Sequence, residues 1–209
     1  GEDLGSGEGQ VAKLVAAMLG AVLGARKTAA LGKELTMANS IQRQILPKGA
    51  LELTGFDVAA DYQACGAVGG DYFDYVPIAD GRTMVVVADV SGHNLASGMM
   101  MVSARATLRT LASVRTELDK VFEDFAVAMF EDLTSTERFL TAAALALREG
   151  DRRVEYVSAG HNDLLVYRAK MDRVEAIKSE STILGFLPSP EYGVRFIDLE
   201  PGSSQILPT

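Results

Sequence analysis

The 209-residue sequence lacks tryptophan and contains a single cysteine, Cys65. One cysteine cannot close a disulfide within the chain, so a disulfide-stapled secreted fold is excluded and a reducing cytoplasm is the expected compartment. We expect Cys65 to be a small buried or half-buried side chain. Basic residues are outnumbered, with 20 Lys and Arg against 28 Asp and Glu and a net charge of -8. Nucleic acid is therefore not an expected partner, because its binding needs clustered Lys and Arg.

The sequence also has little that resembles a membrane-crossing run. Residues 11–25 are apolar, but Lys13 interrupts them and the run is shorter than the roughly 20 residues that span a bilayer. We therefore expect no membrane span in this chain, and its start has no signal-peptide pattern. Residues 1–10 are rich in glycine and acids, and are interpreted as a flexible leader.

A helical pattern fills residues 11–46. Apolar residues recur there at helical spacing, three glycines interrupt the first part, and Pro47 ends the pattern. Two helices or one kinked helix are expected. The segment 11–47 is either a helix packed on the main domain or a regulatory linker, through which the chain could form a homodimer. The main domain then covers residues 48–209.

The pattern after Pro47 is mostly that of β-strands. Apolar and polar residues alternate, and short turns such as Asp80-Gly81 separate the runs. Two amphipathic helices are predicted over 94–114 and 117–133. Strands joined by short turns pair antiparallel, and two helices must cover a sheet face, so the predicted class is α+β. The predicted strands cover 56–62, 72–78, 83–90, 139–147, 153–158, 164–167, 174–177, 194–199 and 205–207.

Two aspartates, Asp71 and Asp89, flank the most clearly predicted hairpin. Each lies nine residues from Asp80 in its turn, so antiparallel pairing puts them roughly opposite each other at the open end. Two facing carboxylates repel unless a cation lies between them, and oxygen ligands suit Mg²⁺ or Mn²⁺. The alternative is that both aspartates only cap turns. Nearby glycines would let the backbone approach ions and phosphate, namely Gly69, Gly70 and Gly92.

Several motifs occur in the order found in one family of phosphatases. Gly69-Gly70-Asp71-Tyr72-Phe73-Asp74 and Val87-Ala88-Asp89-Val90-Ser91-Gly92-His93 resemble runs of the SpoIIE-type branch of the metal-dependent, type-2C-like serine/threonine phosphatases. This branch includes bacterial regulators of sigma factors, such as the RsbU-type stress phosphatases. The likeness reaches from residue 34 to the end, because further similar runs lie at 34–47, 156–162, 184–185 and 199–202.

The resemblance implies that Asp71 and Asp89 are catalytic metal ligands, with the Val90 carbonyl as a further ligand. It implies two Mn²⁺ or Mg²⁺ ions that activate water to hydrolyse phosphoserine or phosphothreonine in a protein. The implied substrate is of the anti-sigma-factor antagonist type, and the implied regulator is an N-terminal sensor domain. The implied fold is α+β, with two antiparallel sheets sandwiched between helical layers and preceded by a helical linker. Supporting or phosphate-approaching residues are expected at Gly69, Gly70, Asp74, Ser91, Gly92 and His93.

Some of these residues have open alternatives. His93 could donate a proton to the leaving oxygen, or it could be a solvent-facing loop residue. Asp74 could complete the outer ligand shell or only face solvent beside Tyr75. Ser91 is not expected to be a nucleophile, because a Gly-x-Ser-x-Gly pattern is absent. We expect His161 to be a turn residue hydrogen-bonded to backbone rather than a metal ligand.

The end of the sequence differs from the family pattern. Family members continue from the Pro-Gly turn through a strand into Thr-Asp-Gly, whose aspartate is a metal ligand. This chain runs from Pro201-Gly202 to Thr209, the position before that aspartate. We therefore expect residues 48–209 to be a phosphatase domain that lacks its C-terminal end and has an incomplete metal site.

Two other functions fit part of the sequence. The chain could be a catalytically inactive, phosphatase-like binding or dimerisation module, which Mn²⁺-dependent phosphate release from a phosphoserine protein would exclude. Residues 69–73 also resemble the Gly-Gly-Asp-Glu-Phe signature of diguanylate cyclases. Tyr72 stands where that enzyme needs a second acid, and the Asp-Val-Ser-Gly run would go unexplained. Formation of a cyclic dinucleotide from GTP would favour the cyclase.

Overall fold

A computed structural model of the chain describes residues 4–63, 66 and 68–208. It divides into two compact units, Gly1–Ile41 and Gln42–Thr209. Cys65 lies outside the described residues, so its predicted burial stays a prediction. The division of the chain into a leader, a regulatory linker and a phosphatase domain also stays a prediction.

One continuous helix, α1 (Leu4–Ile45), accounts for the N-terminal pattern. Of the two expected alternatives, two separate helices is wrong, because Gly20, Gly24 and Gly32 all hold helical backbone. Each glycine costs about 1 kcal/mol in a helix interior, which the surrounding alanines, leucines and other strong helix formers offset. Apolar residues are spread around α1 rather than confined to one stripe. The helix also includes residues 4–10, part of the segment interpreted as a flexible leader.

By length and composition, α1 could cross a membrane. The part Gly9–Ile45 contains an 18-residue stretch of mean hydropathy 1.5, none of it buried. The expectation of no membrane span considered only residues 11–25, which Lys13 interrupts. The mean hydropathy over an 18-residue stretch is nevertheless high enough for a membrane span. A signal sequence or a buried core helix passes the same test, so the finding alone does not put the chain in a membrane.

The second unit is an α+β domain with antiparallel sheets, and this predicted class is confirmed. Its elements follow the predicted order, with an additional short strand at its start. They are β1 (Leu51–Leu53), β2 (Phe56–Val58), β3 (Asp71–Pro77), β4 (Thr83–Val90), α2 (Leu95–Ala112), α3 (Leu118–Ser135), β5 (Leu140–Leu147), β6 (Arg153–Ala159), β7 (Leu164–Arg168), a 3-10 turn (Ala169–Met171), β8 (Arg173–Ile177), β9 (Arg195–Asp198) and β10 (Ser204–Ile206).

A five-stranded sheet forms the centre of this domain. Its strand order is β3-β4-β5-β6-β9, beside a three-stranded sheet β10-β7-β8 and the hairpin β1-β2. One face packs on α2 and α3 through a core that contains Met84, Leu108 and Phe122. The opposite face shares a second core with the three-stranded sheet, which contains Leu145 and Val166. The domain is therefore a sandwich of two sheets, with α2 and α3 as the helical layer among the described residues.

Alternation along β3 and β4 decides where the aspartates point. Met84, Val86, Ala88 and Val90 belong to the helix-facing core, whereas the intervening residues of β4 belong to the face toward the smaller sheet. Because successive side chains of a strand point to opposite faces, Asp89 lies on the face toward the smaller sheet.

Candidate metal and active site

Asp71 and Asp89 lie directly opposite each other. β3 pairs antiparallel with β4, and Asp71 is in register with Asp89, as the hairpin symmetry predicts. Side chains in such a pair share one face of the sheet, with Cβ atoms about 4.5–5.5 Å apart. Both aspartates are half-buried. Neither carboxylate has a hydrogen bond or an ion pair with another described residue, so the structure brings two uncompensated carboxylates together.

The surroundings of the pair disfavour two negative charges. Burial raises the pKa of Asp71. Burial, and then the charge of Asp71, raises the pKa of Asp89. A bound cation would reverse these effects, because it favours the ionised form of a nearby carboxyl.

The Val90 carbonyl adds a backbone oxygen beside the pair. The Val90 N–H donates to the Gly70 carbonyl (3.2 Å). A Cβ on residue 70 would lie 2.2 Å from the Val90 carbonyl oxygen and 3.3 Å from Asp89 Oδ1, so only glycine fits there. Carboxylate and carbonyl oxygens are the ligands that Mg²⁺ and Mn²⁺ prefer, so this donor set fits a divalent ion. Among the described residues, no third Asp, Glu, His or Cys joins the pair.

Asp71 and Asp89 belong to a row of polar side chains across neighbouring strands, the polar row, which continues onto β5 with Thr141. Asp89 is in register with Thr141, whose Oγ1 lies 2.8 Å from His161 Nδ1. His161 is buried, and its Nε2 has no hydrogen-bond partner in the described part of the chain. Burial lowers the pKa of His161, and an interaction with the Pro208 backbone opposes this shift. His161 therefore contacts the Thr141 side chain in addition to the Pro208 backbone, and its expected role as a turn residue stays a prediction.

Ser91, Gly92 and His93 form the connection from β4 to α2. The Ser91 N–H donates to the Phe139 carbonyl (2.9 Å), and the Phe139 N–H donates to Ser91 Oγ (3.1 Å). These bonds fix Ser91 against the start of β5, and the expectation that it is not a nucleophile stays a prediction. Gly92 has φ +98°, a conformation that side chains rarely adopt. His93 is exposed, in agreement with the solvent-facing alternative, and its role as a proton donor stays a prediction.

Asp74 does not join the aspartate pair. It lies on the helix-facing side of β3 and is only 2% exposed, so the alternative that it faces solvent is wrong. Its Oδ2 accepts a hydrogen bond from Tyr72 Oη (2.8 Å) and forms an ion pair with Arg109, while Arg105 Nε lies 3.5 Å away. Strand alternation puts residue 74 on the face opposite to residue 71, which explains the difference from the predicted supporting role.

Gln42 is a site neighbour that the sequence argument left without a role. This residue in the last turn of α1 is 3% exposed. Its Nε2 donates to the Gly69 carbonyl (2.7 Å), and its Oε1 accepts from the Gly69 N–H (3.1 Å). Both backbone groups of Gly69 are thus fixed two residues before Asp71. In the sequence, Gln42 is only a polar residue within a helical pattern. Such a pattern does not predict a contact with Gly69, 27 residues away.

A cleft of about 1020 Å³ opens on the face that carries Asp71. Asp71 lies in its wall together with Phe73 and Tyr75 of β3, and residues 199–208 form part of the opposite wall. Asp71 is therefore reachable from outside the core through this cleft.

A family model matches the chain, and the curated proteins similar to it include one from Synechocystis and one from Bacillus subtilis. The model described as Stage II sporulation protein E (SpoIIE) matches residues 79–209. Protein IcfG of Synechocystis is 21% identical over 199 residues, which cover 83% of this chain and 31% of that protein. Phosphoserine phosphatase RsbP of Bacillus subtilis is 26% identical over 136 residues, which cover 62% of this chain and 32% of that protein. The chain thus spans about a third of the length of these relatives.

Solved structures share the fold at low identity. The SiaA-PP2C domain of Pseudomonas aeruginosa has a TM-score of 0.66 and 21% identity, over 85% of this chain and 71% of that chain. The RsbU and RsbW domains of a Mycobacterium tuberculosis protein give a TM-score of 0.57 and 24% identity, over 68% of this chain and 39% of that chain. The expected type-2C-like fold is confirmed. The family match includes Asp89 and Val90, whereas the position of Asp71 depends on its register with Asp89.

The raised pKa values predict how stability depends on pH without metal. A carboxyl whose pKa is raised on folding binds more protons in the folded state. Its contribution to the free energy of unfolding is therefore present below the ordinary value of 3.8 and is lost as pH rises through the raised value. We expect Asp89→Asn to raise the melting temperature of the metal-free protein at neutral pH and to flatten this pH dependence.

Thermal unfolding in EDTA between about pH 4 and pH 7 measures this effect. Asp132→Asn, at an exposed aspartate of α3, is the matched control and should change the melting temperature little. A lower melting temperature for Asp89→Asn at neutral pH would contradict the proposed repulsion.

Proposed function

The chain belongs to the SpoIIE family, and on that basis we propose that it hydrolyses phosphoserine or phosphothreonine on a regulatory protein with the help of divalent metal ions. The observation that carries the proposal is the direct pairing of Asp71 with Asp89, without a compensating group among the described residues. The Bacillus relative is named a phosphoserine phosphatase, which supports phosphoserine as the substrate group. As the resemblance to SpoIIE-type phosphatases implies, we propose a phosphorylated protein of the anti-sigma-factor antagonist type, within a bacterial signalling pathway.

Asp71, Asp89 and the Val90 carbonyl are the proposed metal ligands. When bound, two Mn²⁺ or Mg²⁺ ions would supply an activated water for attack on phosphorus and would neutralise phosphate charge. Three oxygen-bearing groups are fewer than two such ions need, so the aspartate that the family pattern has after Thr209 is part of the proposal. The Pro208 carbonyl accepts from Asn162 Nδ2 (3.4 Å), beside His161 at the end of the polar row, which supports that position.

The backbone around the ligands is proposed to let phosphate approach. Gly70 leaves the Val90 carbonyl and the Asp89 carboxylate uncovered, because a side chain there would collide with both. Gly69 lies two residues before β3 and Gly92 two residues after β4, so both border the strand ends that carry the ligands. His93, exposed beyond Gly92, is the proposed proton donor for the leaving oxygen.

A substitution of one ligand tests the proposal. In a version of the chain extended beyond Thr209 by the family's Asp-Gly segment, we expect Asp89→Asn to lower turnover about 100-fold or more, because metal ions contribute several kcal/mol to such reactions. The measurement is Mn²⁺-dependent phosphate release from a phosphoserine protein, with Asp132→Asn as control. Unchanged turnover in Asp89→Asn would rule out the two-metal mechanism. For residues 1–209 alone we expect weak Mn²⁺ binding and little turnover, and full activity would make the further aspartate dispensable.

The second candidate function is a phosphatase-like binding module without turnover. The observation that favours it is the limited set of ligands in the described residues. The same phosphate-release assay separates the two candidates, because a binding module would retain the phosphoprotein and release no phosphate.

We further propose that segment 11–47 transmits a signal from an N-terminal sensor domain to the site. Gln42 supports this role, because it belongs to α1 and holds the backbone of Gly69 beside Asp71. A homodimer through this segment and a cytoplasmic location are parts of the same proposal. Light scattering that gives a monomer with and without residues 11–46 would remove the dimer.

Gln42→Leu tests the contact between α1 and the site. Leucine cannot bond Gly69, so a buried N–H and a buried carbonyl lose their partner, at about 1–3 kcal/mol each. We expect turnover of the version extended beyond Thr209 to fall about tenfold and its Mn²⁺ requirement to rise. Phosphate release measured against Mn²⁺ concentration checks this, with Gln10→Leu in the exposed part of α1 as control. Equal turnover in the two variants would contradict the role of Gln42.

A further inference from the structure

The bend Ser91–Asn94 has no closing hydrogen bond of its own. In a four-residue turn, the N–H of the last residue often donates to the carbonyl of the first. Here the Asn94 N–H donates to Ser97 Oγ (3.1 Å) as part of the capping box of α2. The Ser91 carbonyl accepts instead from Arg138 Nη1. A side chain 47 residues away in sequence therefore replaces the bond that the bend lacks.

The Arg138 guanidinium bridges both ends of this bend. Its second nitrogen, Nη2, donates to Asn94 Oδ1 (3.1 Å), and the same oxygen accepts from the Ser97 N–H (3.2 Å). A carbonyl oxygen has two lone pairs, so the cap oxygen is fully used. A Cβ on Gly92 would lie 2.6 Å from Arg138 Nη1, so the middle of the bend is shaped to admit the guanidinium.

Arg138 is itself fixed by its surroundings. The backbone N–H of Arg138 donates to the Leu133 carbonyl near the end of α3 (2.8 Å). The next residue, Phe139, exchanges two hydrogen bonds with Ser91. The backbone of Arg138 is thus held in place, while Nη1 and Nη2 of its guanidinium donate to the Ser91 carbonyl and to Asn94 Oδ1.

We infer that Arg138 is a positioning residue for the metal ligands, an inference that rests on the proposed function. The bend begins directly after Asp89 and Val90, so bridging its ends fixes the direction in which the backbone leaves β4. That direction sets where the Val90 carbonyl and the Asp89 side chain point. Arginine suits this role because its planar fork reaches two acceptors at once, whereas the lysine ammonium is a compact charge on a flexible stem.

Arg138→Lys tests the inference, because it keeps the charge and removes the fork. The control is Arg115→Lys, at an exposed ion pair with Asp124 (2.7 Å). Two quantities are measured on the whole protein: hydrogen exchange of the amides of residues 90–97 without metal, and the Mn²⁺ concentration that half-broadens NMR signals around Asp71 and Asp89. We expect faster exchange confined to the bend and an Mn²⁺ affinity about tenfold weaker, as for other residues that orient metal ligands.

Arg138→Ala provides a second variant with a specific readout. Added guanidinium ion, far below denaturing concentrations, should restore part of its Mn²⁺ affinity, which a general loss of packing would not allow. Unchanged exchange in the bend, or unchanged Mn²⁺ affinity in both variants at matched melting temperatures, would overturn the inference. Absence of Mn²⁺ binding by the unsubstituted protein would overturn the proposed function and the metal-ligand part of the inference. The exchange rates would then decide separately whether Arg138 holds the bend.

Discussion

The register of β3 against β4 forces two carboxylates to face each other, and the organisation of the site follows from this pairing. The pair is unfavourable on its own, since burial and mutual repulsion both oppose its ionisation. It persists because the same strands bury Met84 and Val86 on their other face. A slip of one residue would turn these side chains away from α2 and α3, at a cost far above that of the repulsion. The hydrophobic core thus holds together two charges that would otherwise separate.

Backbone contacts on both sides keep the pair in place. Gln42 holds Gly69 ahead of Asp71, and Arg138 holds the bend that follows Asp89. Between them, Gly70 and Val90 approach too closely for any side chain on residue 70. A site arranged in this way before it binds a cation has little reorganisation left to undergo, which is the condition for electrostatic catalysis. The contact at Gln42 also connects the last turn of α1 to the backbone two residues before Asp71, within the second unit.

Local patterns predict the hairpin and the fold class, but not the partners of individual side chains. The Asp80-Gly81 turn and the alternation in β4 are enough to put Asp71 opposite Asp89. Strand β1 has only three residues, too few for a period to be recognised. The continuity of α1 depends on whether the many strong helix formers outweigh the free-energy cost of three glycines. The spacing of apolar residues carries no information about this balance. Asp74 with Arg109, and Arg138 with Ser91, lie 35 and 47 residues apart, and only the fold brings them together.

Asp71 and Asp89 are proposed to bind a divalent ion between them. The most direct measurement is X-ray diffraction at the manganese absorption edge, from crystals of the protein grown with Mn²⁺. We expect an anomalous peak between the two carboxylates, in contact with the Val90 carbonyl. A map with no peak at this position, or with Mn²⁺ bound only elsewhere while Asp71 and Asp89 stay unliganded, would contradict the claim.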